Sequence, residues 1–341
     1  MGHTIIQRIA ALSMTAMTIL GLGGPGPVFA ANAIAAALSY PGDPTDQYWQ
    51  IYARDLRAAN AGIDLTLLTR GEIGSEEQIL PATRRGRVQL AGFTTSGLEA
   101  LIPEFALFLA PYLFESFDEV DFVLDNYLAV PMAELCASKG LVMLTWYDEG
   151  WRNLFSKTQM NGPGDVRNYR FRALQAKASQ EFLGALGADV IPIPFPEVIP
   201  GLQTGLIDGG EIGVYMYRVS GVRDVAPYYT LTEHAYSTGI ISANKPWFDS
   251  LTPAEQEAIR ATVPKAPVAR RLMRDAAASG IDAVIAGGAH VQRLTPEQRA
   301  AWAAAVAPTH RQLIDNIGGD AQRIYDLIVE AKRAFAAQPN N

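Results

Sequence analysis

The chain has 341 residues, and 28 basic residues against 35 acidic ones give a formal net charge of −7. Hydrophobic residues make up 49% of the chain and charged residues 18%, a balance that supports sizeable cores and excludes intrinsic disorder. The acidic balance argues against a general nucleic-acid binder, and the length favours two domains. The single cysteine, Cys136, excludes an intrachain disulfide and a cysteine-based metal cluster.

The N-terminal segment, residues 1–30, has the pattern of a secretory signal peptide. Arg8 precedes an apolar run over residues 9–22, and a Gly/Pro stretch at 23–27 ends that run. The run is shorter than the roughly 20 residues that a transmembrane helix needs. We therefore predict an exported protein that is cleaved near Ala30 and does not insert into the membrane.

Short β-like runs alternate with amphipathic helical patterns along the rest of the chain. The patterns predict strands at 35–39, 64–69, 88–93, 141–146, 169–173, 189–192, 211–214 and 236–242. They predict helices at 45–59, 76–85, 118–139, 177–186, 197–204 and 253–260, the last with Thr252 as its N-cap. The remainder, to Phe335, is predicted as an Ala-rich helix that is broken at Pro264 and Pro267. This alternation predicts an α/β fold with a mostly parallel sheet between helices.

A second structural unit begins near Gly150 without a flexible linker before it. We predict that lobe one comprises residues 34–149 plus 238–276, and that lobe two comprises residues 150–237 plus 277–335. The missing linker favours several chain crossings that together form a hinge between the lobes.

A series of short motifs runs through residues 38–260. The motifs are GEIGSEE at 71–77, RRGRVQLA at 84–91, IPEF at 102–105, APYLF at 110–114, GWRNLFSK at 150–157, YRFR at 169–172, LGA at 186–188, PFPEV at 194–198 and LQTGLIDGGE at 202–211. In this order they resemble the DctP-type solute-binding proteins of tripartite ATP-independent periplasmic (TRAP) transporters. The resemblance implies a two-lobed periplasmic binding protein fold of type II, with crossover strands and a long helix joining the lobes. It also implies a periplasmic receptor that closes on a small organic acid and delivers it to the small and large TRAP membrane subunits.

The candidate anchors for an organic acid are Arg172 and Arg152. Arg172 lies in a predicted strand, where a buried charge is costly unless it has a partner, and a guanidinium can bind both carboxylate oxygens in a fork. The alternative role for Arg172 is a salt bridge to Glu197 or Asp208. The resemblance places Arg172 at the family's carboxylate-binding arginine, and Arg152 at a second arginine that touches the ligand.

Further candidates lie at predicted strand ends or at family positions. Phe195 matches a family position at which an aromatic ring packs on the ligand. Thr94 and Thr95 end the third predicted strand and can hydrogen-bond a ligand hydroxyl or carboxylate. Aromatic side chains at a closing cleft can supply contact area and a hydroxyl group, with a core role as the alternative. The three aromatic candidates are Trp151, Tyr215 and Tyr236.

Glu211 and Ile212 mark a departure from the family pattern. The family commonly has Asn at the position of Ile212, whereas some relatives have Trp there and use the preceding glutamate to help bind a metal. We include both residues as candidate ligand contacts and assign no metal site. Ile212 predicts an apolar pocket wall and favours an acid with an apolar or aromatic portion, with a small hydroxy or keto acid as the competitor. Thr94 argues against sialic acid, whose binders have an acidic residue there.

Two alternative functions stay open. An ABC-type solute-binding protein shares the fold, and a secreted hydrolase could use Asp208 and Glu211 as a carboxylate pair. Three histidines remain after export, His234, His290 and His310, and none has metal-ligand spacing to another. No Gly-x-Ser-x-Gly elbow occurs. We therefore predict a binding protein without catalytic residues or a cofactor.

Overall fold

The computed structural model describes residues 31–41 and 43–338, so the predicted signal peptide lies outside the described residues. The strands are β1 (Ala31–Ala36), β2 (Ile63–Leu68), β3 (Leu90–Thr94), β4 (Leu141–Ser156), β5 (Arg170–Ala173), β6 (Asp189–Pro192), β7 (Gly209–Gly213), β8 (Tyr228–Asn244) and β9 (His290–Arg293). The helices are α1 (Pro44–Ala58), α2 (Glu76–Arg84), α3 (Thr95–Glu99), α4 (Phe117–Val123), α5 (Ala129–Ser138), α6 (Lys177–Ala185), α7 (Val198–Thr204), α8 (Val214–Val219), α9 (Val222–Val225), α10 (Lys245–Ser250), α11 (Pro253–Thr262), α12 (Ala266–Ala286), α13 (Pro296–Val306), α14 (Thr309–Ile317) and α15 (Ala321–Ala336). Short 3₁₀ turns lie at Pro103–Leu109, Pro163–Val166 and Phe195–Glu197.

The strands form one hydrogen-bonded path in the order β2-β1-β3-β8-β4-β7-β5-β6, and β9 pairs with β8. At one end, β1 pairs in parallel with β2 and β3, and at the other end β5 pairs in parallel with β6 and β7. The two groups are joined by β4 and β8, antiparallel partners of 16 and 17 residues. The sheet therefore consists of two α/β units that share two crossover strands, and the predicted α/β class is confirmed.

The change from one unit to the other falls at Gly150 in β4. Gly150 pairs with Ser237 of β8, and the register of this pair of strands shifts between Asp148 and Gly150. Gly150 has a φ of +87°, a backbone conformation that side chains with a Cβ rarely adopt. Such an irregularity bends and twists a strand. The predicted start of lobe two lies at this residue, and the limits of the two lobes stay a prediction.

Separate apolar clusters lie on the two faces of the second unit. Leu154 packs with Phe171 and Trp302 on one face, whereas Phe155 packs with Tyr229 on the other. Leu154 and Phe155 are neighbours in β4, and successive side chains of a strand point to opposite faces. Both faces of β4 are therefore buried there, and its sequence does not alternate between apolar and polar residues.

The helix predicted over 118–139 is present but irregular. α4 begins after Ser116, whose hydroxyl accepts a hydrogen bond from the Glu119 N–H. A π-helical turn at Leu124–Leu128 separates α4 from α5. Pro131 lies in the first turn of α5 and has no N–H to donate to the preceding turn. This missing donor accounts for the irregular helical hydrogen bonding between α4 and α5.

The C-terminal part contains the predicted break and one unpredicted strand. α11 ends before Pro264, and Pro267 lies in the first turn of α12, as expected from the two prolines. The prediction of a wholly helical remainder was wrong at β9, which pairs in parallel with β8. α12 packs against α1 in the first unit and against α8 in the second, so it is the long helix that braces both units.

α15 packs against the first unit. Its residues Ile324 and Ile328 belong to the same apolar cluster as Phe105 and Val120. The sequence places 277–335 in lobe two, and this C-terminal limit stays a prediction. Within the described part of the chain, no helix combines the length and apolar character needed to cross a membrane.

Candidate functional site

Arg172 is a buried cation that forms no ion pair among the residues that the structure describes. Its side chain lies near the carboxyl end of β5, and the residue is 4% exposed. Nε donates to the main-chain oxygen of Ile193 at 3.1 Å, and Nη1 lies 3.5 Å from that of Glu211. Within residues 31–41 and 43–338, no other hydrogen bond and no ion pair engages this guanidinium. Asp208, one of the two alternative partners, pairs instead with Lys157 and an exposed arginine.

The environment of Arg172 disfavours its charge. Burial lowers the pKa of Arg172 to about 10, and the positive charge of Arg152 acts in the same direction, while the charge of Glu211 opposes both. A buried charge without a counter-ion destabilises the protein that holds it. An anion placed beside Arg172 would remove this cost.

Arg152 lies next to Arg172 but has an internal counter-ion. Its Nη2 is 3.1 Å from Oε2 of Glu149 and 3.3 Å from the hydroxyl oxygen of Ser237. Its side chain is 13% exposed and that of Glu149 is 26% exposed, so the pair lies at the edge of buried structure. Nε of Arg152 is buried and has no hydrogen-bond partner among the described residues.

Glu211 is engaged within the protein. Its Oε2 is 2.9 Å from Nε2 of His234, and the hydroxyl of Ser179 donates to Oε1. Burial alone would raise the pKa of Glu211, but the hydrogen bond and charge of His234, with the charge of Arg152, lower it to about 2. Glu211 is therefore ionised and already hydrogen-bonded, and its contact with a ligand stays a prediction.

His234 reaches Glu211 because β8 is irregular at this point. Arg152 pairs with Ala235 and Leu154 pairs with Thr230, so extra residues of β8 bulge out between them. Glu233 within the bulge has a φ of +45°, and its N–H donates to Asn153 at 3.0 Å. A role for His234 is not predictable from the sequence, because an isolated histidine gives no indication of its partner before the bulge is known.

The His234 ring is held on two further sides. It stacks on Phe182 with ring centroids 4.1 Å apart, and its Nδ1 lies 2.8 Å from the hydroxyl oxygen of Thr232. The residue is fully buried. Arg152, Glu211 and His234 therefore form one electrostatic group beside Arg172, in which Glu211 and His234 are buried.

Thr94 and Thr95 differ in their free hydrogen-bonding capacity. The Thr94 hydroxyl caps α3 by accepting from the Gly97 N–H at 3.1 Å, and it donates to Oε2 of Glu76 at 2.7 Å. The Thr94 N–H donates to the other oxygen of Glu76, also at 2.7 Å. The hydroxyl of Thr95 is buried and has no partner among the described residues. Of these two threonine hydroxyls, that of Thr95 is therefore the one that can still form a hydrogen bond to a ligand.

The aromatic and apolar candidates lie in packed surroundings. Tyr236 is 1% exposed, its ring is in edge contact with Trp151 at 5.0 Å, and its hydroxyl donates to the buried Asp148. Ile212 is also 1% exposed and belongs to an apolar cluster of the second unit, so it gives no support for an apolar pocket wall. Phe195 is partly exposed against the same cluster.

Tyr215 lies in α8, where the guanidinium carbon of Arg218 is 5.2 Å from the ring centroid. This position is at the start of the helix that follows β7. The structure therefore brings Arg172, Arg152 and Glu211 together, and the contact of the remaining candidates with a ligand stays a prediction. No group of metal-ligating side chains occurs among the residues that the structure describes.

Glu76 is expected to make the stability of the unliganded protein depend on pH. Desolvation raises the pKa of Glu76 to about 7, the hydrogen bonds from Thr94 oppose the rise, and the charge of Glu149 adds to it. Between pH 4.5 and about 7 the folded protein keeps a proton that the unfolded chain has released, so stability falls as pH rises.

Urea unfolding of the unliganded protein across this pH range measures that slope, and Glu76→Gln should reduce it. Asp148, whose pKa burial raises to about 6, contributes to the same slope and keeps it from vanishing. An identical slope in wild type and Glu76→Gln would contradict the prediction.

The fold, with Arg172 and Arg152 close together, defines a two-lobed solute-binding protein. Residues 42–316 match the family described as bacterial extracellular solute-binding protein, family 7, DctP. The chain belongs to this family, and the resemblance to DctP-type solute-binding proteins is confirmed.

Two relatives and one solved structure illustrate the similarity. The uncharacterized protein YiiZ of Salmonella typhimurium is 30% identical over 57% of this chain, which spans 60% of YiiZ. The ectoine-binding periplasmic protein TeaA of Halomonas elongata is 27% identical, over 73% of this chain and 74% of TeaA. A TRAP periplasmic solute-binding protein of Xanthobacter autotrophicus with bound β-D-galacturonate is 27% identical and has a TM-score of 0.81, covering 90% of this chain and all of the other. The predicted two-lobed type II fold is thereby confirmed.

Proposed function

We propose that this protein is a periplasmic TRAP receptor that captures a small organic acid by its carboxylate group. The observation that carries the proposal is the buried guanidinium of Arg172, which forms no ion pair with a carboxylate among the described residues. A carboxylate would accept two hydrogen bonds from this planar group and supply the missing charge. Arg152 supports the same anion from β4.

The position of Arg172 fits capture by closure of the lobes. Ligands of α/β proteins bind beyond the carboxyl ends of the strands, and Arg172 lies near that end of β5. β4 and β8 cross between the units, so rotation about them would cover a bound acid. The galacturonate held by the Xanthobacter relative is itself a carboxylate, which supports the proposal.

The route of the ligand follows from the same proposal. The chain would be exported, cleaved near Ala30 and retained in the periplasm, where it would deliver the acid to the small and large TRAP membrane subunits. Phe195, Trp151 and Tyr215 are proposed to contact the ligand, together with the unpartnered hydroxyl of Thr95.

A thermal-shift screen over organic acids tests the proposal. An acid at 100 times its dissociation constant is expected to stabilise the protein by about 2.7 kcal/mol, because it binds the folded state alone. Neutral analogues in which an amide replaces the carboxylate are the control. Stabilisation by neutral sugars or amines alone would overturn the assignment to acids.

The bound acid is expected to be released unchanged. The proposal is supported by the engagement of the two carboxylates of the hydrolase alternative, since Asp208 is paired with Lys157 and Glu211 is bonded to His234. Mass spectrometry of the acid after long incubation with the protein measures its fate. A product that accumulates with time would favour the hydrolase alternative instead.

A further inference from the structure

We propose that Glu149 restricts the site to acids with a single carboxylate, because it already serves as the counter-ion of Arg152. The inference rests on the proposed capture of an organic acid and names the class of acid. The ligand class is a monocarboxylate whose other end carries hydrogen-bond donors, such as hydroxyl or N–H groups.

The first step is the contact that fixes Glu149. Its Oε2 accepts from Nη2 of Arg152 at 3.1 Å and also from the hydroxyl of Ser237. Ser237 pairs across the sheet with Gly150, the residue that follows Glu149, so the contact is built into the crossover of β4 and β8. With 26% of its side chain exposed, Glu149 can face a ligand as well as Arg152.

The second step is the balance of charge in the cleft. Arg152 has Glu149, and the carboxylate of Glu211 is bonded to His234 and a serine hydroxyl. Arg172 is the arginine of this group that has no carboxylate partner among the described residues. One ligand carboxylate neutralises it, and a second carboxylate finds no unpaired cation in the group.

The third step is a second acidic side chain of the protein, Glu76, which lies near Glu149. Glu76 is held by two hydrogen bonds from Thr94, both of 2.7 Å. Thr94 pairs with Gly239 of β8, and Ser237, which holds Glu149, lies two residues before Gly239. Glu76 at the start of α2 and Glu149 of β4 are therefore both bonded to residues in or beside the same stretch of β8, and the charge of Glu149 contributes to the raised pKa of Glu76.

Two carboxyl groups close together have a definite preference for what approaches them. They accept hydrogen bonds from hydroxyl or N–H donors, whereas a ligand carboxylate would meet the negative charge of Glu149. Like charges placed opposite each other in a binding site cost enough to exclude a wrong partner. The second carboxylate of a dicarboxylate is therefore rejected. A hydroxyl or amino group at the same position of the ligand is accepted.

Calorimetric titration with matched pairs of acids tests the inference. Galactonate and galactarate differ in a terminal hydroxymethyl against a carboxylate, as do gluconate and glucarate, or 4-hydroxybutyrate and succinate. We expect wild type to bind the better monocarboxylate about tenfold or more tightly than its dicarboxylate partner. Glu149→Gln should reduce that ratio about tenfold, chiefly by improving the dicarboxylate.

The control variant is Glu257→Gln, which removes the same charge from an exposed position on α11 and should leave the ratio unchanged. The inference is overturned if wild type prefers the dicarboxylates, or if Glu149→Gln keeps the wild-type ratio. The wild-type ratio decides the matter even where the variant is unstable. Absence of binding to every organic acid would instead overturn the proposed function, and this inference with it.

Discussion

Replacement of Arg172 by alanine is expected to weaken the binding of an organic acid by about 30-fold to several-thousand-fold. Removing one partner of a buried, hydrogen-bonded charge pair costs about 2–5 kcal/mol, which corresponds to this range. Arg172→Lys keeps the charge but loses the planar fork, so it should also bind poorly. Calorimetric titration with the strongest ligand of the wild type measures both effects, and Arg152→Ala should lose affinity to a smaller extent.

The same variant, Arg172→Ala, distinguishes a ligand-binding role of Arg172 from a structural role. Arg172 forms no ion pair with a carboxylate in the described part of the chain, so the unliganded Arg172→Ala protein should be at least as stable as wild type. Arg170→Ala is the matched control, because Arg170 lies on the same strand, is paired with Asp208 and has 46% of its side chain exposed. Wild-type affinity in Arg172→Ala would refute the anchor role. A lower melting temperature without ligand would indicate that Arg172 is structural.

Replacement of His234 by leucine is expected to lower the free energy of unfolding by about 3–5 kcal/mol. The change removes the hydrogen bond and the charge that, together with Arg152, hold the pKa of Glu211 at about 2. The carboxylate of Glu211 then stays buried with the Ser179 hydroxyl as its nearest donor. Urea unfolding of the unliganded protein measures the loss.

A double variant shows whether the cost comes from the isolated charge. Glu211→Leu with His234→Leu replaces the pair by apolar side chains next to Leu154 and Phe182, which already form an apolar cluster. A buried ion pair replaced in this way is often close to neutral in stability, whereas removal of one partner is not. The double variant should therefore unfold at a higher urea concentration than His234→Leu. Equal or lower stability of the double variant would contradict the explanation.

Local rules of sequence account for much of the fold. Thr252 was predicted as an N-cap, and its hydroxyl accepts from the Glu255 N–H at the start of α11. The prolines at 264 and 267 separate α11 from α12, because the proline ring fixes φ and leaves no N–H to donate within a helix. Arg172 could likewise be placed in a strand from its neighbours. These features depend on residues close together in the chain.

The length of the crossover strands was not predictable in the same way. The patterns predict strands at 141–146 and 236–242, whereas β4 continues to Ser156 and β8 begins at Tyr228. Both strands are buried along much of their length and shift register, so the alternation that signals a strand is missing.

The sequence by itself determined the α/β class, the family and the candidate anchor Arg172, because these depend on local pattern and on motifs. Tertiary structure alone decided which charges around that arginine are already paired. Glu149 accepts a hydrogen bond from Ser237, which lies 88 residues away in the chain, and Glu76 accepts one from Thr94, which lies 18 residues away. His234 reaches Glu211 only through the bulge in β8. Electrostatic pairing depends on distances in space, and spacing along the chain does not encode them.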